Sequence, residues 1–200
     1  MNFILNQGRI PREVLSLSKD PVETTRWRLK MTKAYLLGAL HDGTVRKLTY
    51  RIVQKDQEYI EFLVKEIKKL GFNAWMYKEG KTRNLYVVEF SKNFLKDFAI
   101  GSNQDKIDYI RGYFDAEGGV SRNPKIRYYI YFAQKNLKDL EQVRNWLEEF
   151  GIKCGIIHNP SKNVDPNYWR FFVSIKSYEK FASLIGSWHP VKSHFLRTKI

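Results

Sequence analysis

The chain is poor in residues that form covalent or metal cross-links. Cys154 is the single cysteine among 200 residues, which excludes an internal disulfide and a cysteine-rich zinc site. No apolar run approaches the roughly 18–20 residues that a membrane-spanning helix needs. The first residues also lack the pattern of a cleaved export leader. These absences predict a cytoplasmic protein without a membrane anchor.

Acidic residues are scarce relative to basic ones. The chain has 35 lysines and arginines against 21 aspartates and glutamates, which gives a formal net charge of +14. An excess of this size is typical of a protein that binds a polyanion, most often nucleic acid. A ribosomal or merely basic soluble protein is the alternative that charge alone leaves open.

Two related segments stand out, residues 34–45 and 109–120. Their sequences are AYLLGALHDGTV and YIRGYFDAEGGV. Each is a short apolar run that contains small residues and ends in a carboxylate followed by glycine. A helix C-terminus carries partial negative charge, so an acid there is unfavourable unless a cation offsets it. Two such acids on one chain indicate that they are brought together to hold metal.

The small residues of these segments have helical spacing. Ala34 and Gly38 are four residues apart, as are Gly112 and Ala116, so each pair lies on one side of its helix. A stripe of small residues lets two helix backbones approach closely. We therefore expect the two motif helices to pack against each other in parallel.

Parallel packing would bring Asp42 and Glu117 together at one end of the helix pair. Their oxygen ligands suit Mg²⁺, which is held by few protein groups together with phosphate oxygens and water. Two metals beside a scissile phosphate support the hydrolysis of a phosphodiester. A single motif of this kind is more often an acid before a glycine cap, but two copies at equivalent positions favour a metal site.

The rest of the chain repeats as well. Gln134 follows Gln54 by 80 residues, and Gly151 follows Gly71 by the same interval, with an amphipathic helix between each pair. Each copy reads as motif helix, two strands, helix, two strands and a final short helix. The predicted strands are 44–48, 49–54, 73–78, 84–91, 119–123, 126–134, 153–158 and 168–176, and the final helices are 92–100 and 177–186.

This repeat predicts the division of the chain and the character of its sheets. We expect an N-terminal extension over residues 1–30, repeats over 31–101 and 102–188, and a C-terminal tail over 189–200. Alternation in the strands separates an apolar face, packed on helices, from a basic and aromatic face. Two four-stranded sheets would then form one long positive surface.

The paired motifs resemble those of the LAGLIDADG homing endonucleases, in the single-chain form found among archaeal intron-encoded members. The resemblance covers residues 31–188 and implies an α+β fold of two pseudo-symmetric αββαββα halves. The motif helices would pack at the central interface, and two antiparallel sheets would form a DNA-binding saddle. It implies a monomer that cuts both strands of a long, asymmetric site in an intron-less host gene, across the minor groove, leaving short 3′ overhangs. Mg²⁺ would be required, and Mn²⁺ would substitute.

The resemblance also implies the metal ligands. Glu117 keeps the family spacing from its motif glycine, whereas the residue five positions after Gly38 is Gly43, which has no side chain to bind metal. Aligning the first motif on its terminal Asp-Gly makes Asp42 the ligand and leaves a one-residue deletion in the helix.

Further residues match polar positions around the metals. Gln54 and Gln134 lie on the helix-packed face and would point at the helix ends, where each orients water or a ligand, or merely caps. Candidates for stabilising charge at the phosphate follow each motif: Lys47 or Arg46, and Arg122 or Lys125. Base reading is expected from Arg51, Lys78, Arg83, Lys125, Arg127, Lys153 and Arg170.

Three other functions remain open at this point. The same scaffold could serve as an intron RNA maturase, which loss of either acid would favour, but both acids are present. It could also be a regulator that has the fold without nuclease activity. An unrelated basic RNA-binding protein with two α/β repeats is the last alternative.

Overall fold

Two antiparallel sheets organise the chain in the computed structural model, which describes residues 31–80, 82–123 and 125–200. The predicted extension over residues 1–30 lies outside the described residues. No helix in these ranges is long and apolar enough to cross a bilayer.

The first half contains a motif helix, a four-stranded sheet and one amphipathic helix. Its elements are α1 (Lys33–Ala39), β1 (Gly43–Val45), β2 (Thr49–Gln54), α2 (Gln57–Lys69), β3 (Ala74–Lys78) and β4 (Tyr86–Ser91). The strand order is β1-β2-β4-β3, and every neighbouring pair is antiparallel. Helix α2 begins after Asp56, whose side chain accepts a hydrogen bond from the Tyr59 amide. It ends before Gly71, which adopts a φ of +84°.

The second half repeats this order with a longer motif helix and a smaller sheet. Its elements are α3 (Asn103–Glu117), β5 (Gly118–Val120), β6 (Ile130–Gln134), α4 (Leu137–Glu149), β7 (Trp169–Phe172), α5 (Tyr178–Leu184) and α6 (Pro190–Lys199). The three strands pair in the order β5-β6-β7. Helix α3 starts with a capping box formed by Ser102 and Asp105.

The predicted strand over 153–158 is wrong in this sheet. The segment forms only two isolated bridges, Cys154 with Val173 and His158 with Arg170. Between the two bridges, one segment advances four residues, from 154 to 158, while its partner advances three, from 173 to 170. The extra residue forms a bulge, which interrupts the ladder of backbone hydrogen bonds. The sheet of the second half therefore has three strands rather than the predicted four.

Two further segments differ from expectation. The predicted helix over 92–100 is only a 3₁₀ turn, Lys92–Leu95, and Asp97 adopts a φ of 57° that no helix can continue through. The C-terminal tail, for which the sequence predicted no secondary structure, forms helix α6, in which Lys192 and Leu196 are buried. This segment packs on the second half.

The motif helices α1 and α3 pack backbone to backbone at their glycines, as predicted. A Cβ at Gly38 would collide with the carbonyl oxygen of Tyr109 and lie 2.7 Å from the Tyr113 nitrogen. A Cβ at Gly112 would collide with the carbonyl oxygen of Tyr35. Only glycine lets the two helices approach this closely.

Each half has its own apolar core beside this central contact. Ile52, Leu63 and Phe90 belong to the first core, between the sheet and α2. Phe132 and Phe171 belong to the second, with the apolar side of α4. The predicted α+β fold with motif helices at the centre is confirmed.

The helix contact can be tested by adding one methyl group. Gly112→Ala should destabilise the protein by about 1–3 kcal/mol, because overpacking outweighs the gain in helix propensity. Chemical denaturation in urea measures this change. Gly101→Ala is the matched control, since a Cβ there meets nothing within 4 Å. Equal stability of the two variants would contradict the close helix contact.

Candidate active site and nucleic-acid interface

The structure brings Asp42 and Glu117 to the same end of the motif helix pair. Asp42 ends the 3₁₀ turn that continues α1, and Glu117 is the last residue of α3. The negative charge of Asp42 is close enough to raise the pKa of Glu117. The two acids come from different halves of the chain, so only the helix contact makes them neighbours.

The pKa of each acid is displaced upward. Desolvation raises the pKa of Glu117 to about 7, with a further contribution from the charge of Asp42. Desolvation also raises the pKa of Asp42 to about 6, although this residue is exposed at the surface. The raised pKa values mean that both carboxyl groups lose their protons less readily than usual. The protein therefore does not fully compensate the negative charge that ionisation of both groups would place here.

A glutamine accompanies each acid. Gln54, the last residue of β2, donates its amide to Oδ2 of Asp42. Gln134, the last residue of β6, makes a side-chain hydrogen bond to Glu117 that lowers the pKa of this acid. Because the Gln134 oxygen accepts the backbone N–H of Lys135 at 2.6 Å, its NH₂ group is left for Glu117. Each glutamine is therefore hydrogen-bonded to the acid of its own half.

These oxygen ligands fit a divalent cation of the magnesium type. Within residues 31–80, 82–123 and 125–200, no group of three or more His, Cys, Asp or Glu side chains could hold a metal by itself. Two carboxylates alone are typical of a Mg²⁺ site that keeps water and takes phosphate oxygens from its substrate. The uncompensated charge of Asp42 and Glu117 is the observation that supports this fit.

Lys192 is a residue of this site that the sequence analysis missed. Its Nζ donates hydrogen bonds to the carbonyl oxygens of Phe114 (2.8 Å), Asp115 (2.7 Å) and Gly118 (2.7 Å) at the end of α3. Burial lowers the pKa of Lys192 to about 8. The only signal in the sequence was the electrostatic requirement for a cation near an acid at a helix end.

The residues just before the two acids have other partners. Asp115 is buried and accepts hydrogen bonds from Tyr35 Oη (2.6 Å) and the Trp188 amide (2.9 Å). His41 lies within 2.5 Å of Tyr109 Oη and 3.7 Å of Asp139, and burial lowers its pKa. Both residues connect the motif helices to the opposite half or to the C-terminal segment.

The four basic candidates after the motifs are not equivalent. Lys47 and Lys125 are exposed. The charge of Arg46 reaches Glu79 and Glu89 on the first sheet. Arg122 is close enough to the acids' end of α3 for its charge to lower the pKa of Lys192. Arg122 is therefore a basic candidate whose charge acts at this end of α3.

The outer face of the first sheet carries a hydrogen-bonded network that includes both acidic and basic side chains. Arg51 donates to Glu79 at 2.5 Å, so this predicted base reader is already paired with an acid. Glu89 lies opposite Arg51 in the ladder and accepts hydrogen bonds from Thr49 and Tyr77. Such carboxylates can accept hydrogen bonds from cytosine N4, a contact that an all-basic face does not offer.

The outer face of the second sheet is mainly aromatic. Tyr131 lies opposite Phe172, and the Arg170 guanidinium lies 4.9 Å from the Tyr131 ring. Arg170 also donates to the Tyr168 hydroxyl at 2.7 Å. The guanidinium of Arg170, which was predicted to contact bases, therefore packs against Tyr131 and is hydrogen-bonded to Tyr168.

The other predicted readers divide into two groups. Arg83, Arg127 and Lys153 are exposed. Lys78 is exposed as well, but it has the strand parity of buried Ala74, which places it on the helix-packed side of the first sheet, at the end of β3. Its Nζ lies 5.9 Å from the Tyr86 ring.

The second half of the chain, including its motif helix, matches a known family. Residues 105–186 match the family described as "LAGLIDADG-like domain". The second half of the chain is therefore similar to a LAGLIDADG-like domain, and the resemblance predicted from the paired motifs is confirmed.

Individual relatives agree with this assignment. The chain is 28% identical to the Homing endonuclease I-ApeI of Aeropyrum pernix, over 80% of this chain and 82% of that protein. It is 30% identical to an uncharacterized protein of Methanocaldococcus jannaschii, over 68% of this chain and 60% of that protein.

Solved structures of low sequence identity share the fold. A structure of variants of the homing endonuclease I-DmoI matches with a TM-score of 0.61 at 23% identity, over 82% of this chain and 96% of that one. The N-terminal LAGLIDADG domain of DUF199/WhiA matches with a TM-score of 0.60 at 18% identity, over 77% of this chain and 80% of that one.

The raised pKa of Glu117 makes a prediction about stability. A carboxyl group with a pKa of about 7 in the folded state and about 4.5 when unfolded binds more protons in the folded state between these values. Its contribution to stability is therefore lost as the pH rises through this window. Glu117→Gln removes this loss, so in metal-free buffer the variant should gain Tm relative to wild type as the pH rises from about 5 to 8.

Differential scanning calorimetry across this pH range measures the difference. The matched control is Glu141→Gln, which changes an exposed acid on α4. Adding Mg²⁺ should reduce the advantage of Glu117→Gln, because a bound cation stabilises only the wild-type acid pair. A difference in Tm that does not change with pH would contradict the raised pKa.

Proposed function

We propose that this protein is a metal-dependent, site-specific DNA endonuclease that acts as a cytoplasmic monomer on a long, asymmetric duplex. The observation that carries the proposal is the convergence of Asp42 and Glu117, one from each half, where both sheets begin. The relative from Aeropyrum pernix is named a homing endonuclease. I-DmoI has been solved in complex with DNA and Mn, and with its target DNA in the presence of Mg.

In this proposal, Asp42 and Glu117 hold Mg²⁺, for which Mn²⁺ substitutes. When bound, the metal supplies an activated water and stabilises the leaving oxygen of the phosphodiester. The residues of the chain prepare the site for it. Gln54 and Gln134 orient the two carboxylates through their amides, so the oxygens that face the metal are held before DNA arrives.

The pairing of the acids also bears on where the strands are cut. Because both acids occupy one small site, the two scissile phosphates must approach each other closely. Phosphates of opposite strands come nearest across the minor groove, which is about 6 Å wide in B-DNA. Cutting both strands there leaves short 3′ overhangs. The substrate would be an intron-less copy of the host gene.

The two sheets are suited to reading an asymmetric target. The first sheet presents the paired charges of Arg51, Glu79 and Glu89, whereas the second presents Tyr131 and Phe172. Different chemistry on the two faces would select different base sequences in the two halves of the site. The net charge of +14 would hold the phosphate backbone.

An intron RNA maturase on the same scaffold is the second candidate. The aromatic outer face of the second sheet favours it, because aromatic rings that are partly accessible on a sheet can stack on unpaired bases of RNA. Filter binding with the intron transcript and with the duplex target separates the two functions. Tighter binding to the transcript, together with no cleavage of the duplex, would favour the maturase.

Removing either acid should stop cleavage without removing DNA binding. We expect Glu117→Gln and Asp42→Asn each to slow plasmid cleavage by about 100-fold or more, since each loses a charged metal ligand. Linearisation of a plasmid that carries the intron-less host gene measures the rate, and binding in Ca²⁺ measures the affinity. Glu141→Gln serves again as the control. Normal cutting by Asp42→Asn alone would show that the first motif is aligned incorrectly.

DNA binding should weaken steeply with added salt. The logarithm of affinity should fall linearly with the logarithm of salt concentration, with a slope of about −0.9 for each phosphate neutralised. Arg127→Gln should reduce this slope by about one, because Arg127 is exposed. Arg170→Gln should change it less, since that guanidinium is held against Tyr131. Fluorescence anisotropy at several salt concentrations measures the slopes, and a flat response would refute the basic surface.

A further inference from the structure

Lys192 occupies a place where one ammonium group satisfies three carbonyl oxygens. The last carbonyl groups of an α-helix have no partner within the helix. Those of Phe114 and Asp115 lie in the last turn of α3, where the Phe114 oxygen also accepts the Gly118 amide, and that of Gly118 lies just beyond the helix. A lysine has three N–H donors and no acceptor. The three distances of 2.7–2.8 Å use all of these donors, and the residue is 6% exposed.

The segment that contains Lys192 is itself hydrogen-bonded to the end of α3. The amides of Trp188 and His189 and the hydroxyl of Ser187 donate hydrogen bonds to the buried carboxylate of Asp115. Residues 187–192 therefore contact the end of α3 through a side chain and through the backbone. Helix α6 continues from there, and Leu196 anchors it in the second core.

The contacts of Lys192 surround one residue in particular. Glu117 lies in the sequence between Asp115 and Gly118, and the carbonyl oxygens of both bind the same Nζ atom. With the backbone fixed on both sides, the direction of the Glu117 side chain is restricted. The positive charge also offsets the negative end of the helix dipole, where an additional acid would otherwise be unfavourable.

Within the described part of the chain, the first motif ends without this arrangement. Its helix tightens into the 3₁₀ turn Leu40–Asp42, in which the Gly43 amide donates to the Leu40 carbonyl. The backbone thus closes this end locally. The two halves position their acids by different means, and only the second depends on a distant segment.

We infer that Lys192 is a positioning residue of the active site, which fixes the end of α3 and thereby the direction of the Glu117 carboxylate. The inference rests on the proposed endonuclease function and deepens it. It assigns a single residue of helix α6, Lys192, to the support of the active site in the second half, and leaves the rest of the helix a structural role. The lysine itself contacts neither substrate nor metal in this role.

The test compares Lys192→Met with Leu196→Ala. The first variant removes the charge and the three donors at nearly constant length, and the second removes a buried anchor of the same helix. Both should lower stability, so a loss of stability alone distinguishes nothing. Three measurements are made on the full chain: single-turnover cleavage at saturating Mg²⁺ and DNA, DNA affinity in Ca²⁺, and amide hydrogen exchange of residues 113–120 without metal.

For Lys192→Met we expect cleavage slower by about tenfold to a hundredfold, since a small misplacement of a catalytic group has effects of this size. DNA affinity should stay within about twofold, because Lys192 is buried and is not part of the DNA surface. Amide exchange over 113–120 should be faster. Leu196→Ala should cleave at the wild-type rate at a temperature where it is folded, with wild-type exchange in this segment.

Several results would overturn the inference. These are wild-type cleavage by Lys192→Met, equal slowing in Leu196→Ala, or slow cleavage with unchanged exchange over 113–120. If Lys192→Met does not fold, Lys192→Gln replaces it, because its amide can still donate to carbonyl oxygens without the charge. This variant should also be slower by about tenfold, and wild-type activity would contradict the role of the charge.

Failure of the proposed function would be visible separately. If the wild-type protein does not cleave its target, or if Glu117→Gln cleaves normally, the endonuclease assignment fails whatever the Lys192 variants do. The exchange measurement needs neither metal nor DNA, so it still reports whether Lys192 holds the end of α3.

Discussion

The direct contact of two helix backbones at Gly38 and Gly112 is the constraint on which the rest of the structure depends. Any larger side chain at either position would meet a carbonyl oxygen of the other helix. The contact fixes the two halves relative to each other, and it forces Asp42 and Glu117 into one site. Burial there raises the pKa of Glu117, and the neighbouring charge of Asp42 raises it further.

The protein compensates this charge only in part, which is the physical condition for metal binding. Gln54 and Gln134 bind one acid each through neutral amides, and Lys192 places a single positive charge on the backbone beside Glu117. Full compensation by arginine or lysine would leave no reason for a divalent cation to bind. No compensation would leave the helix end and the acids unfavourable together.

The two sheets show how a duplicated architecture takes on different surfaces. Alternation in the strands correctly predicted which face packs on helices, but the basic residues expected to be free are partly engaged. Arg51 is paired with Glu79, and Arg170 lies against Tyr131. A long side chain can contact residues of several strands. The alternation within one strand therefore cannot predict which partner such a side chain will have. The same limit applies to the bulge at 154–158, which depends on the register between two segments.

The sequence by itself determined the repeat, the motif helices with their glycines, and the equivalence of Gln54 and Gln134, because these follow from local periodicity and internal comparison. Only the tertiary structure decided that Lys192 caps the second motif helix, since this contact joins residues 77 positions apart in the chain. Among the residues that the structure describes it has no counterpart in the first repeat, so comparing the repeats could not reveal it. The general requirement for a cation near the helix end follows from electrostatics, but which cation meets it is set by long-range packing.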